Sequence, residues 1–133
     1  MGYSLLKVAS VGLGGFLGSV LRFGTAIYFQ SMSQRLSFPV ATLTVNVIGC
    51  LLIGFLVQLA ENQKYLSQEM HGFLVIGFLG GLTTFSSFGN ETLILFKLDQ
   101  LIRGFLNITL NVAFGLAAVW LGRFVGSRLS NLI

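Results

Sequence analysis

The sequence predicts an all-α integral membrane protein with four transmembrane helices per subunit, the third of them broken at its centre. Three observations lead there. Apolar residues make up 54% of the 133-residue chain and charged residues 9%, whereas a soluble domain carries about a quarter charged. The mean hydropathy is +0.86. Four stretches reach the roughly 20 apolar residues that a helix needs to cross a hydrocarbon core of about 30 Å, and the segments between them are too short for a soluble domain. Soluble packing, disorder and a disulfide scaffold are excluded on these grounds. A pI near 9.7 does not indicate nucleic acid, because the 8 Lys and Arg are scattered and form no basic face. The whole chain, 1–133, reads as a single transmembrane domain.

The first span covers about 5–29. Its start has no small-residue cleavage site, so it is expected to remain as a helix rather than leave as a signal peptide. Gly14, Gly18 and Arg22 follow at intervals of four and share one face. The two glycines suit a helix-packing seam, and Arg22 a structural anchor that pairs with backbone carbonyls. The second span covers about 39–60. Ser37 can cap it and Pro39 can sit in its first turn. Thr42, Asn46 and Gly49 share a face, and a deep asparagine must bond either a neighbouring helix or a solute in a cavity. Cys50, alone in the chain, has no disulfide partner and is given no redox role.

The third span, about 72–96, holds the strongest signal. Gly80-Gly81-Leu82-Thr83-Thr84 is a poor helix interior. Irregular backbone at membrane depth is tolerated only where protein or a cavity satisfies it. Freed carbonyls there suit a small hard cation, freed amides an anion, and a Gly-Gly kink without any ion fits as well. Phe85 and Phe88 are three apart, the spacing of ordinary packing, but ring edges carry partial positive charge and can face an anion. Glu91, a turn further on, is a functional candidate as a carboxylate within or near the membrane. The fourth span, about 104–125, carries a stripe of Asn107, Asn111, Gly115, Ala118 and Gly122. Facing asparagines on two helices favour a polar pathway over simple packing.

Four spans put both termini on one side. Lys7, Lys64, Arg123 and Arg128 then stand against Arg22, Arg35, Lys97 and Arg103, 4 against 4. No positive-inside bias fixes the orientation; either both orientations insert, or other features set it. A four-span chain inserted both ways could pair with itself antiparallel, gaining the symmetry that many transporters obtain from inverted repeats. No enzyme constellation is present. His71 stands alone, the 4 acids are dispersed, and the glycines of the first span do not follow a strand as a phosphate loop would.

The runs Gly14-Gly15-Phe16-Leu17-Gly18-Ser19-Val20-Leu21-Arg22-Phe23, Thr42-Leu43-Thr44-Val45-Asn46-Val47-Ile48-Gly49 and Gly80-Gly81-Leu82-Thr83-Thr84-Phe85-Ser86-Ser87-Phe88 together resemble the CrcB/Fluc family of fluoride channels, in order and across the chain. The resemblance implies an antiparallel, dual-topology homodimer in the lipid bilayer of the bacterial inner membrane, with two fluoride pathways and passive export that protects against fluoride. It implies that Phe85 and Phe88 line the pathways with their ring edges and that Asn46 contacts the ion. Ser87, Glu91 and Asn111 would lie along or near the track. Gly80 and Thr83 would offer main-chain carbonyls to a structural sodium ion at the dimer's centre, and Arg22 would match the family's first-helix arginine. Asn107 stands where many members have tyrosine, Asn111 where serine is frequent, and Phe23 where tyrosine is common.

Two other classes compete. A small dual-topology, proton-coupled multidrug exporter also has four helices, but it wants a carboxylate inside the first helix, and that helix holds no acid. An assembly subunit without transport would use Asn46, Thr83 and Asn111 only to join helices.

Overall fold

A computed structural model describes residues 5–61 and 66–130. Every regular element among them is helical. Four helices are long and apolar enough to cross a membrane: Leu5–Tyr28, Val40–Glu61, Gln68–Lys97 and Leu101–Ser130. The first is α1, the second α3 and the fourth α7, while α2 is a short helix, Gln30–Leu36, between the first two. The third span is composite. α4 (Gln68–His71) leads into a stretch of wider, π-type turns over Gly72–Leu79, then α5 (Gly80–Leu82) and α6 (Phe85–Lys97).

The boundaries follow local chemistry. The segment after α1, expected as a plain connection, folds into α2, and Ser37 closes that helix rather than capping the next. It adopts the left-handed conformation at φ 46°, and the Ser37 and Phe38 N–H groups donate to Gln34 O and Ser33 O at 3.2 and 3.1 Å. This satisfies the terminal carbonyls of α2. Asp99, at φ 57°, turns the chain the same way between α6 and α7. The fourth helix exceeds the expected 104–125 at both ends. Its 30 residues make about 45 Å, so its ends project past the hydrocarbon, where Arg103, Arg123 and Arg128 can extend their stems to the interface.

Close backbone approach organises the bundle. α1 packs along the Gly72–Leu79 stretch, and α3 along α7. A methyl group at Gly14 would lie 2.8 Å from Phe78 N, and one at Gly18 2.8 Å from Leu82 N, each closer still to a carbonyl of the third span. The two glycines singled out by their spacing thus lie in that contact. Gly122 answers across the other pair, where a methyl would stand 2.8 Å from Phe55 N. Where these pairs meet, Val45, Leu79 and Leu82 form a buried cluster with Leu52, Ile53, Leu56 and Phe78 against it. Apolar side chains elsewhere point outward, as suits lipid; Phe16, Phe23 and Trp120 are among them.

Charge collects at the helix ends. Arg123 and Glu61 form a half-exposed ion pair at 2.5 Å joining α7 to α3, a contact worth about 0–1 kcal/mol. Arg22 is different. It turns inward to the third span, so it does not count with the connecting segments, and the cation tally becomes Lys7, Lys64, Arg123 and Arg128 against Arg35, Lys97 and Arg103. Lys64 lies outside the described residues.

Gly18→Ala should cost about 1–3 kcal/mol by overpacking. Gly24→Ala, where a methyl meets nothing within 4 Å, should leave stability unchanged or raise it by up to about 1 kcal/mol. Thermal unfolding of both variants in detergent checks the contrast.

Candidate functional site

The site begins at two residues without helical backbone. Thr83 (φ −77°, ψ 156°) and Thr84 (φ −151°, ψ 114°) are extended between α5 and α6. Both are β-branched and helix-averse, and each extended peptide releases groups that a helix would have paired. The N–H of Thr84 donates to Asn46 Oδ1 at 2.9 Å. That of Ser87 donates to Thr84 Oγ1 at 3.1 Å, which caps α6. These two N–H groups are the ones that a continuous helix would have given to the carbonyls of Gly80 and Thr83. Arg22 Nε takes the carbonyl between them, donating to Gly81 O at 3.0 Å. Arg22 therefore stands as an anchor for irregular backbone.

Asn46 is the hub on the opposite side. Besides accepting from Thr84 N, its Nδ2 donates to Asn111 Oδ1 at 2.9 Å and to Thr84 O at 3.3 Å. Asn111 Nδ2 donates in turn to Asn107 Oδ1 and O, both at 3.0 Å. A cavity of about 340 Å³ lies beside this cluster, bounded by Asn46, Asn111, Gly80, Thr83, Phe85 and Phe88 among others. The Phe85 and Phe88 rings stand 5.5 Å apart at 55°. Phe88 is half-buried, and Phe85 is 83% exposed.

Ser87 and Glu91 do not join this group. They bound a second cavity of about 290 Å³ with Arg22, Thr42 and Thr84. The reason is angular: Ser87 and Glu91, four apart, share one side of α6, and Phe85 is turned away from it. Within one chain Asn111 thus bounds the first cavity, and Ser87 and Glu91 the second. Thr84 touches both cavities. Thr42 donates its hydroxyl to Glu91 Oε1 at 2.8 Å, while Glu91 Oε2 is buried with no hydrogen-bond partner among the described residues.

Thr84 and Thr92 are functional candidates that sequence reasoning passed over. The capping pattern Thr84-x-x-Ser87 was the available signal for the first. For Thr92 there was none, since its partner Asn107 lies on another helix, at 2.9 Å. Thr42 was placed on the Asn46 face, but its pairing with Glu91 was not anticipated.

Residues 9–123 match the family described as CrcB-like protein, Camphor Resistance (CrcB). Among similar proteins is one named fluoride-specific ion channel FluC from Flavobacterium psychrophilum, 42% identical over 90% of this chain and 95% of its own. Proteins of the same name from Elusimicrobium minutum (46%, over 84% and 86%) and Parabacteroides distasonis (40%, over 97% and 99%) are similarly related. These names are those of ion channels rather than enzymes. With its four apolar helices, the chain is a multi-pass membrane protein, consistent with a bacterial inner membrane.

Arg22→Lys keeps the charge but not the Nε–H that reaches Gly81. It should cost about 1.5–3 kcal/mol, the range for a hydrogen bond to a charged group. The loss should be nearly that of Arg22→Leu in the same thermal-unfolding measurement.

Proposed function

The chain belongs to the CrcB-like protein family, and on that premise we propose that it is a fluoride-selective ion channel, exporting fluoride passively across the bacterial inner membrane and so conferring fluoride resistance. The observation that carries this reading is the meeting of two side-chain amides and two phenylalanine rings at one cavity. Fluoride is small and strongly hydrated, so a route through protein must replace its water with donors. Asn46 and Asn111 set their amides on that cavity, where the long 3.3 Å bond to Thr84 O and the paired bonds to Asn107 can yield an N–H to the ion, and Phe85 and Phe88 offer ring edges, which hold an anion without a fixed full charge. Among the described residues no Lys or Arg bounds that cavity, so no fixed positive charge there traps the ion. On the second cavity, Ser87 supplies a hydroxyl. An ionised Glu91 would repel an anion, so its part is to hold the Thr42 hydroxyl in place.

The working unit in this proposal is an antiparallel homodimer of chains inserted in both orientations. The near-even cation tally supports it, and so does the exposed Phe85 ring, which a second copy would cover. Two such chains, related by a two-fold axis, give two pathways. The donor set also fits a structural sodium ion at the dimer's centre. Among the described residues no cluster of His, Cys, Asp or Glu could hold a metal, whereas the Gly80 and Thr83 carbonyls have lost their helical partners, and main-chain oxygens suit a hard cation. Bound there, sodium would supply positive charge to oppose those carbonyl dipoles. The exporter reading has less support, because α1 contains no acid and Glu91 is engaged with Thr42.

Purified protein in liposomes should release fluoride to an ion-selective electrode while retaining chloride; loss of neither anion from folded protein would sink the channel reading. Phe85→Ile and Phe88→Ile should each abolish fluoride flux and leave the oligomer intact by size-exclusion chromatography. Exchange of sodium for N-methylglucamine should lower the unfolding temperature, and restored sodium should recover it.

A further inference from the structure

Asn107 is fully buried, and its Nδ2 donates to Thr92 Oγ1 at 2.9 Å. Thr92 is itself buried, and its hydroxyl donates to Phe88 O at 2.7 Å. Neither residue bounds the two cavities described above. They terminate a chain of side-chain amides, and the two ends of that chain fix the direction of every member.

At one end stands the backbone N–H of Thr84, which can only donate, so Asn46 must present Oδ1 to it. Asn46 then has only Nδ2 to give Asn111, which must accept with Oδ1. Asn111 is left with Nδ2 toward Asn107, which accepts with Oδ1 and main-chain O. Asn107 has only Nδ2 remaining, and Thr92 can accept it because its single proton is committed to Phe88 O. A hydroxyl has one proton and two lone pairs, so while Thr92 donates to Phe88 O it can only accept from Asn107. Three amides between the obligate Thr84 donor and this acceptor leave a single consistent arrangement. Each dipole also polarises the next.

We propose that Asn107 and Thr92 are positioning residues, which through this relay hold the Asn111 and Asn46 amides in one orientation at the cavity. The inference rests on the channel reading for its functional consequence. Without the Thr92 acceptor, Asn107 keeps a buried N–H with no partner, and turning its amide over relieves nothing, since Oδ1 would then stand unpaired and Nδ2 would face the Asn111 Nδ2 donor. The Asn107 amide is then no longer held in place, and the Oδ1 to which Asn111 donates moves with it. The donors needed to replace water around fluoride would no longer be held in place.

Thr92→Val removes the acceptor at nearly constant volume, and Thr92→Ser keeps it. Fluoride efflux from liposomes should fall about tenfold or more in Thr92→Val and stay at the wild-type rate in Thr92→Ser. The side-chain amide ¹⁵N–¹H resonances of Asn46, two links away, should shift in Thr92→Val but not in Thr92→Ser. The double variant Asn107→Leu/Thr92→Val leaves neither of those two positions with an orphaned polar group, which guards against misfolding. It should show the same flux loss and the same Asn46 shift. Wild-type flux in Thr92→Val overturns the proposal, as does equal impairment in Thr92→Ser, since packing alone would then explain the position. Should the wild-type protein pass no fluoride, the channel reading falls. In that case the Asn46 resonances still decide the relay: unshifted in Thr92→Val, they overturn it.

Discussion

In a hydrocarbon interior each backbone N–H and C=O must find its partner within the protein, and the bond from Thr84 N to Asn46 Oδ1 is where this chain meets that demand. Two extended residues at membrane depth would otherwise expose several polar groups, each costing kilocalories. Asn46 takes the Thr84 N–H, Arg22 the Gly81 carbonyl, and the Thr84 hydroxyl the Ser87 N–H. The helices that bring these groups are held by glycine contacts, because only backbones in near contact put side chains as short as Asn46 within reach of another main chain. Cavities, rings and hydroxyls are arranged around this repaired segment.

The same economy explains why polar residues cluster rather than scatter. Asn46, Asn107, Asn111 and Thr92 satisfy one another across three helices, so none faces lipid unpartnered. Arg22 brings a full charge to the one carbonyl it pairs with, that of Gly81. Glu91 is the exception: one oxygen is bonded and the other has no partner among the described residues. Such a half-satisfied carboxylate is costly. Its position on a cavity wall beside Arg22 and Ser87 agrees with a functional reason for keeping it.

The four spans were readable from sequence because hydropathy is a local property, summed over consecutive residues. The Gly14–Gly18–Arg22 face was readable because helical spacing fixes which residues share a side. What could not be read depends on rotation and on long-range contact. Ser87 and Glu91 belong with a different cavity from Phe85 and Phe88 because of how α6 is turned, and no local pattern sets that rotation. Ser37 looked like the start of a helix, since serine caps helices; instead it ends α2 in the left-handed region, which depends on α2 existing at all. The Asn107–Thr92 bond joins residues on separate helices, and its partner could not be named before the register of α6 against α7 was known. Arg22 stands between the two: its chemistry calls for a carbonyl, but which carbonyl is a matter of packing.

The Thr84–Asn46 bond also joins segments that reach the membrane at different times. A ribosome delivers the chain from its N-terminus, so α1 and α3 enter the membrane before the third span. Arg22 and Asn46 are therefore already in place when the backbone of residues 81–84, unable to pair within its own helix, arrives. Until then Arg22 and Asn46 have no partner from the third span, and the long stem of Arg22 can carry its charge toward the interface. The fourth helix comes last and brings Asn111 and Asn107, which engage an Asn46 amide already oriented by Thr84. Each later segment in this chain thus inserts against a template built by an earlier one.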